Sequence, residues 1–80
     1  MKLSVYSLKK ILFQGEAELL NCKTAMGEIT VLDNHETYIG ILTKGVAKII
    51  DLAKKEHFFE IKSGFLEVKS GNEVRCIVEQ

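Results

Sequence analysis

Leu66-Glu67-Val68-Lys69-Ser70-Gly71-Asn72-Glu73-Val74-Arg75-Cys76-Ile77-Val78-Glu79 decides the fold class. Leu66 and Val68 alternate with Glu67 and Lys69. Val74, Cys76 and Val78 alternate with Glu73, Arg75 and Glu79. A period of two puts one set on a buried face and the other in water, as in a half-buried strand. Between the two runs, Ser70-Gly71-Asn72 supplies residues that tolerate positive φ, so the pair reads as a β-hairpin.

The alternation continues upstream. Phe59 and Ile61 alternate with Glu60 and Lys62, Ile29 and Val31 with Glu28 and Thr30, and Leu3 and Val5 with Ser4 and Tyr6. Ile11-Leu12-Phe13 follows Lys9-Lys10, so residues 7–10 read as a turn. Ala17 and Leu19 alternate with Glu16 and Glu18, and then Leu20 and Cys22 carry the apolar phase one residue further. Such a slip is what a β-bulge produces. Glycines stand at 15, 27, 40, 45, 64 and 71, four of them beside polar residues between short apolar runs, and there is no proline. Val46, Ile49, Ile50 and Ala53 stand at helical spacing, with Lys48, Asp51, Lys54 and Lys55 on the other side. Residues 46–56 therefore read as helix or as strand and turn, and the strand-rich neighbours favour the second. The expected architecture is all-β: a small β-sandwich of about 8–10 short, mostly antiparallel strands, forming one domain over residues 1–80. A sheet with one apolar face must cover it with another.

Composition narrows the function classes. Apolar residues are 46% of the chain, enough for a compact core and too many for a disordered segment. Eleven basic and eleven acidic residues give zero net charge, and only Lys9-Lys10 and Lys54-Lys55 are adjacent basic pairs. Phosphate binding needs a basic excess, so no nucleic-acid partner is expected. No run approaches the roughly 18 apolar residues that span a bilayer, so no direct membrane insertion is expected. Met1-Lys2-Leu3-Ser4-Val5 lacks the pattern of a signal peptide, so the chain is expected to stay in the compartment where it is made.

Candidates for chemistry are few. Cys22 and Cys76 lie far apart on predicted core faces, and neither belongs to a close C-x2-C pair. A nucleophilic pairing of either with His35 or His57 is the enzymatic alternative, but a thiol on a core face is inert. Glu16 with Glu18 reads as the solvent face of a strand. No phosphate-cradling glycine motif is present, and no metal or cofactor site is expected.

Gly27-Glu28-Ile29-Thr30-Val31-Leu32-Asp33-Asn34-His35 stands out. By residue type alone it is a strand entered from a glycine turn and left through a polar turn. Its order among other short motifs says more. Met1-Lys2-Leu3-Ser4-Val5, then Ile11-Leu12-Phe13-Gln14-Gly15-Glu16-Ala17, then Gly27-Glu28-Ile29 with Val31-Leu32 and Asn34-His35 follow in sequence. Lys44-Gly45-Val46 and Ser63-Gly64-Phe65-Leu66-Glu67-Val68 come after them. In this order and at these spacings the chain resembles the amino-terminal β-sandwich domain of the F-type ATP synthase ε subunit (δ in mitochondria). Five positions depart from the family pattern. Asp33 stands at a usual proline, Glu36-Thr37 at a usual Ala-Pro, Thr30 at a common glycine, and Ser63 at one glycine of a pair. Without proline, the turn after Leu32 is expected to be less rigid.

The resemblance implies a non-catalytic subunit of the central rotor stalk, without cofactor, that helps couple proton flow to ATP synthesis. It implies two partners, the γ subunit and the polar loops of the membrane c-ring. It further implies a peripheral position on the cytoplasmic face of the inner or plasma membrane. Glu28, Thr30, Asp33, Asn34 and His35 fall where the family meets the c-ring and γ. Tyr38, Ile39, Ile41 and Leu42 are candidates for the apolar γ contact, with ordinary core as the competing reading. The family usually continues into a helical hairpin that brakes ATP hydrolysis. A short form ending near Gln80 is expected to lack that brake. The altered turn at Asp33–Thr37 keeps open a second reading, a stand-alone β-sandwich interaction module.

Overall fold

A computed structural model describes residues 1–80. Eight strands follow one another without a helix: β1 (Lys2–Tyr6), β2 (Ile11–Thr24), β3 (Gly27–Leu32), β4 (Tyr38–Leu42), β5 (Gly45–Asp51), β6 (Glu56–Ile61), β7 (Ser63–Lys69) and β8 (Glu73–Glu79). The hydrogen-bonded path runs β1-β8-β7-β4-β2-β5-β6, with β3 and β1 also paired to β2. Every pairing is antiparallel except β1 with β8. The result is an all-β sandwich whose two layers share β2. The first half of β2 pairs with β1, and its second half pairs with β3 and β5.

One strand can serve both layers because it changes phase midway. The β2–β5 register moves from Ala17↔Asp51 to Leu19↔Ile50, leaving Glu18 as the extra residue. Ala17, Leu20, Cys22 and Thr24 are buried on one side of the kink or the other. The bulge read from the sequence is present, and it turns Leu19 to the outer face opposite Leu32. Glu18, displaced from the ladder, accepts two hydrogen bonds from Lys54 Nζ at 2.8 and 2.9 Å.

Residues 45–51 form a strand, not a helix. Ala47 and Ile49 are buried while Val46, Lys48 and Ile50 face out, a period of two set by pairing with β2 and β6. The apolar spacing that also fitted a helix arises because Val46 and Ile50 lie on the outer face. Asp51 closes the following turn. Its Oδ1 accepts from the backbone N–H of Ala53 at 2.9 Å and of Lys55 at 3.0 Å, while Lys54 adopts φ +68°. Asp51 Oδ2 accepts from His57 Nε2 at 2.9 Å, and the His57 ring stands edge-on to Phe13 with centroids 5.1 Å apart.

The core lies between the layers. Leu3, Leu20, Leu42, Ile49, Leu66, Val5, Val31, Val74 and Cys22 fill its centre, and no buried side-chain polar atom lacks a partner. The β7–β8 hairpin closes with both Gly71 (φ +83°) and Asn72 (φ +59°) in the left-handed region, as its sequence predicts.

The turn at Asp51 makes stability depend on acid. The hydrogen bond from His57, and then those from the backbone, hold the Asp51 carboxyl below its usual value. A carboxyl with a lowered native pKa stabilises the fold above its unfolded value, about 3.9. That contribution disappears as pH falls through the native value. The urea midpoint should therefore decline below about pH 4, and Asp51→Asn should flatten that decline while lowering the midpoint at pH 7. Equal slopes in the two proteins would remove Asp51 from the acid response.

Candidate protein-docking flank

β3 and β4 run in opposite layers and are joined by residues 33–37. β3 pairs only with β2, so its outer edge has no neighbouring strand. β4 returns until Leu42 meets Thr24 at the end of β2, beside the start of β3. The nine residues singled out from the sequence lie along β3, the turn after it and β4, in three separate groups.

The first group is at the β2–β3 hairpin. Glu28 and Thr30 are exposed on the outer face of β3. Asn21 Nδ2 on β2 donates to Glu28 Oε2 and to Thr30 Oγ1, each at 2.9 Å. The hairpin is closed by Thr24, whose hydroxyl donates to Gly27 O at 2.7 Å and accepts from Met26 N–H at 3.1 Å.

The second group is the turn after β3. Asp33 Oδ1 accepts from the Met1 α-ammonium and, at 3.2 Å, from Asn72 Nδ2. Asn72 Oδ1 accepts from the Asn34 N–H at 2.7 Å, and the Met1 ammonium also donates to Ala17 O at 2.8 Å. Asn34 sits at φ +60°, and His35 N–H donates to Leu32 O at 3.2 Å. The ammonium and Asn72 hold the Asp33 carboxyl below its usual range. The turn expected to be looser without proline is instead tied by hydrogen bonds to the first residue and to the β7–β8 turn. The two groups are not one patch, since five residues of extended chain separate Glu28 from Asp33 by about 17 Å.

The third group divides by face. Ile39 is 76% exposed and Ile41 58%. Leu42 is 1% exposed, so it is a core residue and leaves the contact set. Strand alternation is the reason, because Tyr38, Gly40 and Leu42 share the inner face. Tyr38 is half-buried against the core, and its ring fills the space beside Gly40, where a Cβ would come within 2.5 Å of it.

Two residues of this face were not singled out from the sequence. Phe65 is directly opposite Ile41, and Ile77 is directly opposite Phe65. Phe65 is 59% exposed and Ile77 40%. Ile39, Ile41, Phe65 and Ile77 therefore form a continuous apolar surface across β4, β7 and β8. Glu67, paired across from Ile39, accepts from Arg75 Nη2 at 2.6 Å, so the polar border of the surface is neutralised internally. The signal for the missed pair was in the hairpin register. Counting back from Ser70-Gly71-Asn72 sets Phe65 against Ile77 on the face opposite Leu66 and Cys76.

The chemistry available elsewhere is slight. Burial pushes the Cys22 thiol up to about 11 and the Cys76 thiol higher still, so both are inert as nucleophiles. His35 Nδ1 donates to Glu36 O at 2.8 Å, and His57 is engaged with Asp51, so neither histidine meets a cysteine. No group of three or more His, Cys, Asp or Glu residues is placed to hold a metal ion. No helix is long and apolar enough to cross a membrane.

Residues 1–80 match the family described as the ATP synthase Delta/Epsilon chain, beta-sandwich domain. The chain belongs to this family. An ATP synthase epsilon chain of Clostridium novyi (strain NT) is 36% identical over 86% of this chain and 53% of its own length. One from Brevibacillus brevis is 27% identical over 99% of this chain and 59% of its own length. The chain thus spans little more than half of these relatives. The fold of this Delta/Epsilon-type domain recurs in a solved Euglena gracilis mitochondrial ATP synthase comprising OSCP, F1 and c-ring. There the TM-score is 0.92 at 21% identity, covering all of this chain and 51% of that one. It recurs in the central stalk and c-ring of the Tetrahymena thermophila enzyme, with a TM-score of 0.84 at 15% identity over all of this chain and 63% of that one.

Proposed function

We propose that residues 1–80 act as one docking domain of the central stalk of an F-type ATP synthase, non-catalytic in itself. In this reading the apolar surface of Ile39, Ile41, Phe65 and Ile77 seats on the γ subunit. The flank from Glu28 to His35 faces the polar loops of the c-ring, and the domain helps couple proton flow to ATP synthesis. It is held at the membrane by its partners, on the side where the stalk emerges.

The exposed apolar surface carries the reading. Four large apolar side chains at solvent positions of adjacent strands, rimmed by a charge pair, are what a protein-binding face requires. Exposed carboxylates such as Glu28 would guide docking at the second contact, since rim ion pairs contribute about 0–1 kcal/mol each.

The test is capture of the cognate γ subunit by the purified chain. The expected result is a stable one-to-one complex that survives moderate salt, because its centre is apolar. Absence of binding by size-exclusion chromatography and calorimetry would sink the reading. A stand-alone interaction module is the second reading, favoured by the rebuilt turn at Asp33. A gene for the catalytic β subunit adjacent to this one supports the stalk, and an unrelated gene neighbourhood supports the module.

A further inference from the structure

We propose that Asn21 is a positioning residue that holds the Glu28 carboxylate, unneutralised, for a basic side chain of a partner loop. The inference deepens the stalk reading above and rests on it.

The observation is a contrast between two candidate partners for Glu28. Lys23 lies directly across the hairpin from Glu28 and is the default ion-pair partner in such a register. It makes no ion pair there. Its stem lies instead over Gly45, where a Cβ would meet Lys23 Cδ at 2.9 Å. The neutral amide of Asn21 binds Glu28 in its place. One Nδ2 hydrogen goes to Glu28 Oε2 and the other to Thr30 Oγ1, both at 2.9 Å, so the amide is fixed at two points. Thr30 matters because its hydroxyl oxygen receives the second hydrogen.

The consequence is electrostatic. Glu16, Glu18, Glu56, Glu67, Glu73, Asp33 and Asp51 are all engaged by cationic or histidine partners. Glu28, Glu36, Glu60 and Glu79 are not, and among these Glu28 alone is held by a side-chain amide. Its Oε1 accepts no hydrogen bond. A carboxylate with one oxygen anchored and the other open, and with its charge intact, is prepared for an ammonium or guanidinium group. Prior fixing of the side chain removes the ordering cost that a free glutamate meets on docking.

The test measures affinity and salt dependence for a complex of the cognate γ subunit with its detergent-solubilised c-ring. It uses the full chain and Asn21→Ala, Glu28→Gln and the double variant. Glu28→Gln should weaken binding and flatten the salt dependence. Asn21→Ala should weaken binding about 3- to 10-fold, an effect of one good hydrogen bond. In the Glu28→Gln background the same change should have less than about a twofold effect, because there is no longer a charge to aim. Asn21→Gln, which keeps the amide donor, should recover part of the loss. No binding by the unaltered chain overturns the stalk reading and this inference with it. If the unaltered chain binds and Asn21→Ala leaves affinity unchanged, or weakens it equally in both backgrounds, the inference alone is overturned.

Discussion

Replacing Ile39 with lysine together with Ile41 with glutamate is expected to reduce capture of the γ subunit at least about 100-fold. Each isoleucine offers an exposed branched side chain whose burial contributes about 1.5–3 kcal/mol. Every 1.4 kcal/mol is a factor of ten in affinity. The substitutions remove both contributions and add the cost of desolvating a charge at the centre of an interface. They introduce one charge of each sign, so net charge stays zero and long-range steering is unaltered. Lysine at position 39 also faces Glu67 across the β4–β7 pair, where an acidic replacement would repel it. The fold should tolerate the pair, since both side chains point away from the core. Calorimetric titration with γ measures the loss, and a melting temperature within a few degrees of the parent shows that the fold is retained. Retention of near-parental affinity would move the γ contact off this face.

Gly64→Ala should lower the melting temperature by about 10–25 °C. A Cβ at position 64 would lie 2.3 Å from Ile77 O and 3.0 Å from Val78 Cα. Both obstacles are backbone atoms of the paired strand, so no rotamer change relieves them and β7 must part from β8. Overpacking costs about 1–3 kcal/mol where side chains give way, and more where they cannot. In a domain of this length each kcal/mol shifts the midpoint by about 4–8 °C. Ser63→Ala is the matched control. Its hydroxyl makes one long contact to Glu79 at 3.5 Å, and exposed changes of this kind stay within about 0.5 kcal/mol. Thermal unfolding followed by circular dichroism separates the two. A shift of under 5 °C for Gly64→Ala would show that the strands can separate there without loss.

The order of the short motifs carries the family, and the strand pattern carries the fold. Turn residues and period-two alternation located most of the strands, because each depends on local backbone conformation and on which side of one strand meets water. The exposed apolar surface was half legible. Ile39 and Ile41 were named from their positions, but Leu42 was grouped with them although it points inward. Phe65 and Ile77 were passed over because each looks like one more apolar residue in a strand.

Alternation, turn chemistry and the phase slip between Leu19 and Leu20 are local properties, and the sequence alone determined from them an all-β chain with a bulged second strand; that Glu18 is the extra residue came from the β2–β5 register. It also determined that Cys22, Cys76 and Leu66 face inward. Beyond the β7–β8 hairpin, whose turn sets Phe65 against Ile77, it could not determine which outward residues stand side by side. Only the pairing of β4 with β7 joined Ile39 and Ile41 to Phe65 and Ile77 in one surface. Only the packing of the chain start against the β3–β4 turn showed how Asp33 ties down a turn that lacks proline. Register joins residues far apart in sequence, and that information lies in the closure of the sandwich rather than in any single strand.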